Sequence, residues 1–195
     1  MLPDAGIGIR MRTGRAICVV LIGGPEAPEV LCRRELRLWD PEVPETNQPF
    51  HAALELSPSE ARRTIERASR AVRRAAERAF AGLRDELRSE GYASRAVGLV
   101  RVSDTDPATI RNPHMHAHAA ESQLSYQALA DAVASGGVRG FTLLESRVLG
   151  ELASRLARPE VAIRRALAEL GRSVGPPWRA EQRAACSAAW LCLAS

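Results

Sequence analysis

Apolar and polar positions change their period several times along the chain, and each change marks an element. Gly6–Arg12 and Arg15–Ile22 are runs rich in Ile and Val joined at Thr13-Gly14, which predicts two strands of a hairpin. The second run is almost continuously apolar, as befits a strand covered on both faces in the middle of a sheet. Past the turn region Gly23–Pro28, Glu29–Leu38 alternates apolar and charged residues in its second half and predicts a third strand nearer an edge. Trp39–Gln48, with its Asp-Pro, Val-Pro and Asn, reads as a loop. Ser57-Pro58-Ser59-Glu60 is a helix start, with serine as cap, proline first and glutamate third. That helix is expected to reach Glu90 and stop at Gly91. Ile65, Ala68, Val72, Ala76, Phe80, Leu83 and Leu87 follow one another at helical steps and form its apolar stripe.

Ala96–Val102 predicts a fourth strand, followed by the loop Asp104-Thr105-Asp106-Pro107. Asn112-Pro113 opens a helix that ends near Ser135-Gly136-Gly137, and Val138–Leu144 predicts a fifth strand closed by Glu145. Two more helices are expected, about Glu160–Leu170 and about Arg179–Leu193, separated by Gly175-Pro176-Pro177. Short turns make the first three strands antiparallel, whereas strand–helix–strand segments call for parallel pairing through right-handed crossovers. The expectation is an α/β fold: a mixed five-stranded sheet with helices on both faces. The 195 residues fit one domain spanning 1–195. No apolar run approaches the ~18 residues of a membrane helix, and the first residues lack the pattern of a signal peptide, so a cytoplasmic location without membrane partners is expected.

The formal charge is +4, and every basic side chain that contributes to it is arginine. Arginine grips phosphate through a fork of donors, so this charge points weakly toward nucleic acid. On the long helix Arg62, Arg63, Arg67, Arg70, Arg73, Arg74 and Arg78 interleave with Glu60, Glu66 and Glu77, the pattern of a solvated face with ion pairs one turn apart. Cys18, Cys32, Cys186 and Cys192 are far apart with no CxxC and read as buried free thiols.

The order of elements resembles the ribonuclease H-like superfamily, and within it the Holliday-junction resolvase branch, over nearly the whole chain. In that branch the first strand ends Gly-Ile-Asp-Pro-Gly; the corresponding stretch here is Gly8-Ile9-Arg10-Met11-Arg12. The fourth strand there ends near a glutamate, whereas here Val102-Ser103 leads into Asp104 and Asp106. The last helix there begins with paired acids among alanines, and Trp178–Ala185 keeps the small residues and one acid, Glu181. The resemblance implies a ribonuclease H-like fold, nucleic acid as partner, and a nuclease that holds divalent ions between carboxylates. Arginine at the end of the first strand puts a fixed positive charge where a cation would sit, so the standard centre is lost unless Arg10 turns away. ATPases of the same fold need a glycine-rich phosphate turn, and Met11–Arg15 supplies only a turn.

His114, His116 and His118 stand within five residues. On a helix His114, His118 and Glu121 share a face, and His116 points the other way. Two imidazoles and a carboxylate suit zinc or another divalent ion with a position left for water. The structural alternative is that one histidine packs, another caps, and Glu121 meets an arginine. Asp104, Asp106 and Glu145 are expected along the same edge of the sheet, where open α/β sheets bind ligands.

Two functions compete. The first is a phosphodiester hydrolase dependent on a divalent metal (Mg, Mn or Zn) with a nonstandard centre. Glu145 and Glu181 would join the His114–His118–Glu121 face around the ion, with His116 as general base and Arg10 on the scissile phosphate. The second is a catalytically inactive domain that binds nucleic acid or a protein. Histidines and Glu145 gathered within metal reach would favour the first; an ion pair from Arg10 to Glu145 or Glu181 would favour the second.

Overall fold

The computed structural model describes residues 2–195. The elements in order are β1 (Asp4–Arg12), β2 (Arg15–Gly24), β3 (Ala27–Arg37), α1 (Pro58–Ser89), β4 (Ala93–Arg101), α2 (Pro113–Ser135), β5 (Arg139–Leu144), α3 (Glu145–Arg155), α4 (Glu160–Val174) and α5 (Ala180–Leu193). Short helical turns at Pro44–Asn47 and Pro107–Thr109 interrupt two of the loops. The sheet order is β3-β2-β1-β4-β5; β1–β2 and β2–β3 pair antiparallel, β1–β4 and β4–β5 parallel. The mixed five-stranded sheet expected from the hydrophobic pattern is therefore present, with helices on both faces.

Alternation along the strands divides the interior. Ala5, Ile7 and Ile9 of β1, Cys18 and Val20 of β2, and Val97 and Leu99 of β4 pack against Val72, Phe80 and Leu83 of α1 and Leu129 and Val133 of α2. The intervening residues Val19, Leu21 and Val100 face α3, α4 and α5 through Leu152, Ile163, Ala185 and Trp190. The middle strands are covered on both sides, which is why β2 reads as an unbroken apolar run.

On the second face α5 lies against β1 with no side chain between them. A methyl group on Gly8 would stand 1.8 Å from the Ala185 carbonyl oxygen, and one on Gly6 2.3 Å from that of Ala189. Glycine is needed at both positions for this approach. The next residue on that face of β1 is Arg10, which carries the strand to the first turn of α5.

Three expectations need correction. Glu145 does not close the fifth strand but begins α3, an eleven-residue helix that the sequence pattern did not reveal. Its buried residues Val148, Leu152 and Ala153 form only a short stripe, and no capping residue announces it. Three helices, not two, therefore follow β5. The arginines of α1 pair not one turn apart but across to neighbouring segments. Arg67 meets Glu45 at 2.6 Å, Arg73 meets Asp131 at 3.1 Å, and Arg78 meets Asp40 at 3.4 Å. These acids flank the helix, so the long arginine side chains reach them without aligning along its axis.

The four cysteines are free, with Cys18, Cys186 and Cys192 buried and Cys32 half-buried. Burial pushes all four thiols up, that of Cys192 to about 12. Among the described residues no helix is long and apolar enough to cross a membrane.

Candidate functional site

Parallel pairing brings the ends of β1, β4 and β5 to one edge, with Arg10 opposite Val100 and Arg101 opposite Leu144. α3 starts at this edge directly from β5, and α5 is brought to it by its seat on Gly6 and Gly8. Glu145 and Glu181 both lie in first helical turns. The exposed N–H groups at such ends favour a negative side chain.

Between these two carboxylates lies the Arg10 guanidinium, its side chain only 13% exposed. Nη2 donates to Glu145 Oε2 at 3.0 Å; Nη1 reaches Glu181 Oε1 at 3.5 Å and the Met11 carbonyl at 3.1 Å. Arg12 adds a second cation, 2.9 Å from Glu181 Oε1. Two guanidinium groups thus balance two carboxylates. A centre of divalent ions held between carboxylates does not fit these residues, because Arg10 already fills that place. Asp104 and Asp106 supply no replacement: Asp106 accepts from the Ala108 N–H at 2.9 Å as a local cap, and Asp104 is exposed in the loop.

A cavity of about 700 Å³ opens beside Arg10, lined by Arg12, Arg15, Arg37, Trp39 and Asn47, with Glu35 its single carboxylate. Arg15 pairs with Glu35 at 3.4 Å. Arg37 stacks 5.3 Å from the Trp39 ring centre and has no carboxylate partner among the described residues. With Arg10, Arg12 and Arg15 already paired, Arg37 is the cavity's one uncompensated cation among the described residues, and the half-buried Trp39 indole beside it adds a flat apolar face. A larger cavity, about 880 Å³, lies at the opposite strand ends by Arg139 and Phe141 and contains none of the candidate residues.

The histidines form a second, separate cluster. His114 and His118, one turn apart on α2, are joined by His51 from the loop between β3 and α1. His51 Nε2 lies 3.1 Å from His114 Nδ1, and His114 Nε2 lies 3.1 Å from His118 Nε2. The three ring centres are 4.3–4.7 Å apart. Below them Glu121 is 1% exposed, and its Oε1 accepts from the backbone N–H of His51 at 3.1 Å and lies 2.8 Å from His51 Nδ1. His116 faces away, with Nδ1 2.9 Å from the Pro107 carbonyl oxygen.

The structure therefore splits the residues expected around one ion. Glu145, Glu181 and Arg10 form one group, and His114, His118 and Glu121 form the other with His51. His51 and Arg37 escaped the sequence reading because both depend on contacts between distant segments. The only hint of His51 was that it is the one histidine outside the run.

Antiparallel β1–β3, the parallel crossovers to β4 and β5, and helices on both faces constitute a RuvC-like ribonuclease H fold. Thermus thermophilus RuvC in complex with a Holliday junction substrate matches with a TM-score of 0.50 at 13% identity, over 98% of this chain and 91% of that one. Another structure of Thermus thermophilus RuvC matches with a TM-score of 0.51 at 12% identity, over 95% of this chain and 91% of that one. At such identities the likeness is one of fold. No protein-family model matches the chain, and no curated protein matches its sequence.

Proposed function

We propose that this chain is a nucleic-acid-binding module of RuvC-like fold that has lost the two-ion nuclease centre. The observation that carries the reading is Arg10 bridging Glu145 and Glu181. A fixed cation on two carboxylates keeps their geometry while removing the vacancy that catalytic metal requires. The binding element is the arginine-lined cavity at the same edge, where Arg12, Arg15 and Arg37 meet phosphates and Trp39 offers a stacking face. The likeness to a RuvC solved with a Holliday junction makes branched DNA the first ligand to try. A single domain over 1–195 fits two cores that share one sheet, and a cytoplasmic setting fits four free thiols. What weighs against the metal-dependent hydrolase is that the histidines and the pair Glu145 and Glu181 belong to different clusters.

The test is fluorescence anisotropy with four-way-junction, duplex and single-stranded DNA across a salt series, beside cleavage assays with Mg²⁺ and Mn²⁺. Binding that weakens with salt, without cleavage, is expected. Arg12→Glu/Arg37→Glu should weaken binding about tenfold or more and reduce the salt slope by about 2. Cleavage that needs a divalent ion and disappears in Glu145→Gln would refute the proposal, as would the absence of nucleic-acid binding.

A further inference from the structure

The histidine cluster serves neither the arginine cavity nor the ion-paired edge, yet it is built. We propose that His51, His114 and His118 form a binding site for one first-row transition-metal ion, Zn²⁺ being the best match, with Glu121 holding His51 from beneath.

The spacing of the three rings suits one ion. One nitrogen from each ring lies within 4.8 Å of the others. Two imidazoles on one tetrahedral Zn²⁺, each about 2.0–2.1 Å from the ion, hold their nitrogens about 3.3–3.4 Å apart. The two observed contacts of 3.1 Å are close to that separation. His114 meets its neighbours through different nitrogens, so closing on an ion takes a turn of its ring. That ring belongs to an exposed residue, which leaves it room to turn.

Glu121 supports the cluster from beneath. Glu121 Oε1 already accepts the backbone N–H of His51 and lies 2.8 Å from Nδ1 of the same residue, which suits a tautomer with the hydrogen on Nδ1. His51 Nε2 then carries the lone pair and lies 3.1 Å from His114 Nδ1. A buried carboxylate that fixes the tautomer and ring direction of a histidine is the usual support behind a metal ligand. The backbone N–H of His51 also binds Glu121 Oε1, so the carboxylate positions main chain and ring together. Glu121 Oε2 is buried and has no partner. An unpartnered polar atom in the interior is costly, and a cation above His51 offsets that cost.

Imidazole donors without thiolate or exposed carboxylate select zinc, copper or nickel over magnesium or calcium. Three protein ligands leave a fourth position for water or an added ligand. The ion would also tie the loop carrying His51 to the first turns of α2, so its binding has a mechanical consequence. That loop joins β3 to α1 and is otherwise held by few hydrogen bonds to α2.

The experiment is calorimetric titration of Zn²⁺ into chelator-treated protein, with Co²⁺ visible absorption to report coordination. One ion per chain is expected. His51→Gln and His118→Gln should each weaken binding by about a hundredfold or more, Glu121→Gln by about 10–100-fold, and His116→Gln not at all. Circular dichroism and melting of each metal-free variant establish that it is folded. As a readout that needs no variant, Zn²⁺ should slow proteolysis between Trp39 and Ser57 in the wild type. Absence of stoichiometric binding, full affinity in folded His51→Gln, or a loop no better protected with Zn²⁺ would each overturn the site. DNA binding is measured without added metal and stands or falls separately.

Discussion

Arg10→Asp tests whether the guanidinium holds the sheet edge together in place of a metal. The substitution removes two ion pairs, at 3.0 Å to Glu145 and 3.5 Å to Glu181, and sets a third carboxylate between them. At an effective dielectric of about 20, a unit pair at these distances is worth about 5 kcal/mol before desolvation is subtracted. Exposed pairs retain about 0–1 kcal/mol, and breaking buried ones costs about 3–5 kcal/mol. With the arginine side chain 13% exposed and the acids 25% and 23%, the site lies between these limits. The expected loss is about 2–3 kcal/mol, with added repulsion moderated by Arg12. A divalent ion can then do what the arginine did. Mn²⁺ at about a hundred times its dissociation constant returns about 2.7 kcal/mol. Urea unfolding of wild type and Arg10→Asp, each with chelator and with Mn²⁺, reads both effects. The variant should be destabilised in chelator and rescued by Mn²⁺, which should stabilise the wild type by clearly less. Equal stability of the two proteins in chelator, or equal stabilisation by Mn²⁺, would refute the reasoning.

Two further predictions concern the body of the fold. Gly8→Ala places a methyl 1.8 Å from the Ala185 carbonyl oxygen, so α5 must lift from β1, and urea unfolding should show a loss of about 3 kcal/mol or failure to fold. The raised thiols make stability fall with alkali: it is fully present below their ordinary value of 9.0, where both states are protonated, and declines above it as unfolded chains ionise while buried thiols such as Cys192, at about 12, do not. Urea midpoints should therefore drop from neutral to about pH 11, and a thiol reagent should leave Cys18, Cys186 and Cys192 unmodified until urea is added.

Much of the architecture was legible because strand and helix periods are local. The continuous apolar run Ala16–Leu21 announced a central strand, and Ser57-Pro58-Ser59-Glu60 announced α1, where the Ser57 N–H bonds Glu60 Oε2 at 3.2 Å. α3 was not legible: it follows β5 without a turn, and its stripe is only two turns long. The face shared by His114, His118 and Glu121 could be drawn from helical spacing, but not the roles on it. Spacing treats Glu121 as an equal of the histidines. Only the packed structure shows it 1% exposed beneath them and bound to a histidine seventy residues away.

The departure at Arg10 carries the functional argument because its surroundings do not depend on it. Parallel pairing of β1, β4 and β5 and the glycine-mediated seat of α5 bring two helix N-termini to one edge. Acids in those first turns are favoured by the helix ends themselves. The edge therefore presents two carboxylates whichever residue stands at the end of β1. A third acid there would leave a negative site that needs divalent ions; arginine supplies the positive charge covalently. The same guanidinium lines the cavity shared with Arg12, Arg15 and Arg37. One side chain thus fills the place between the two acids and extends a surface suited to phosphate, with no change to the strands and helices around it.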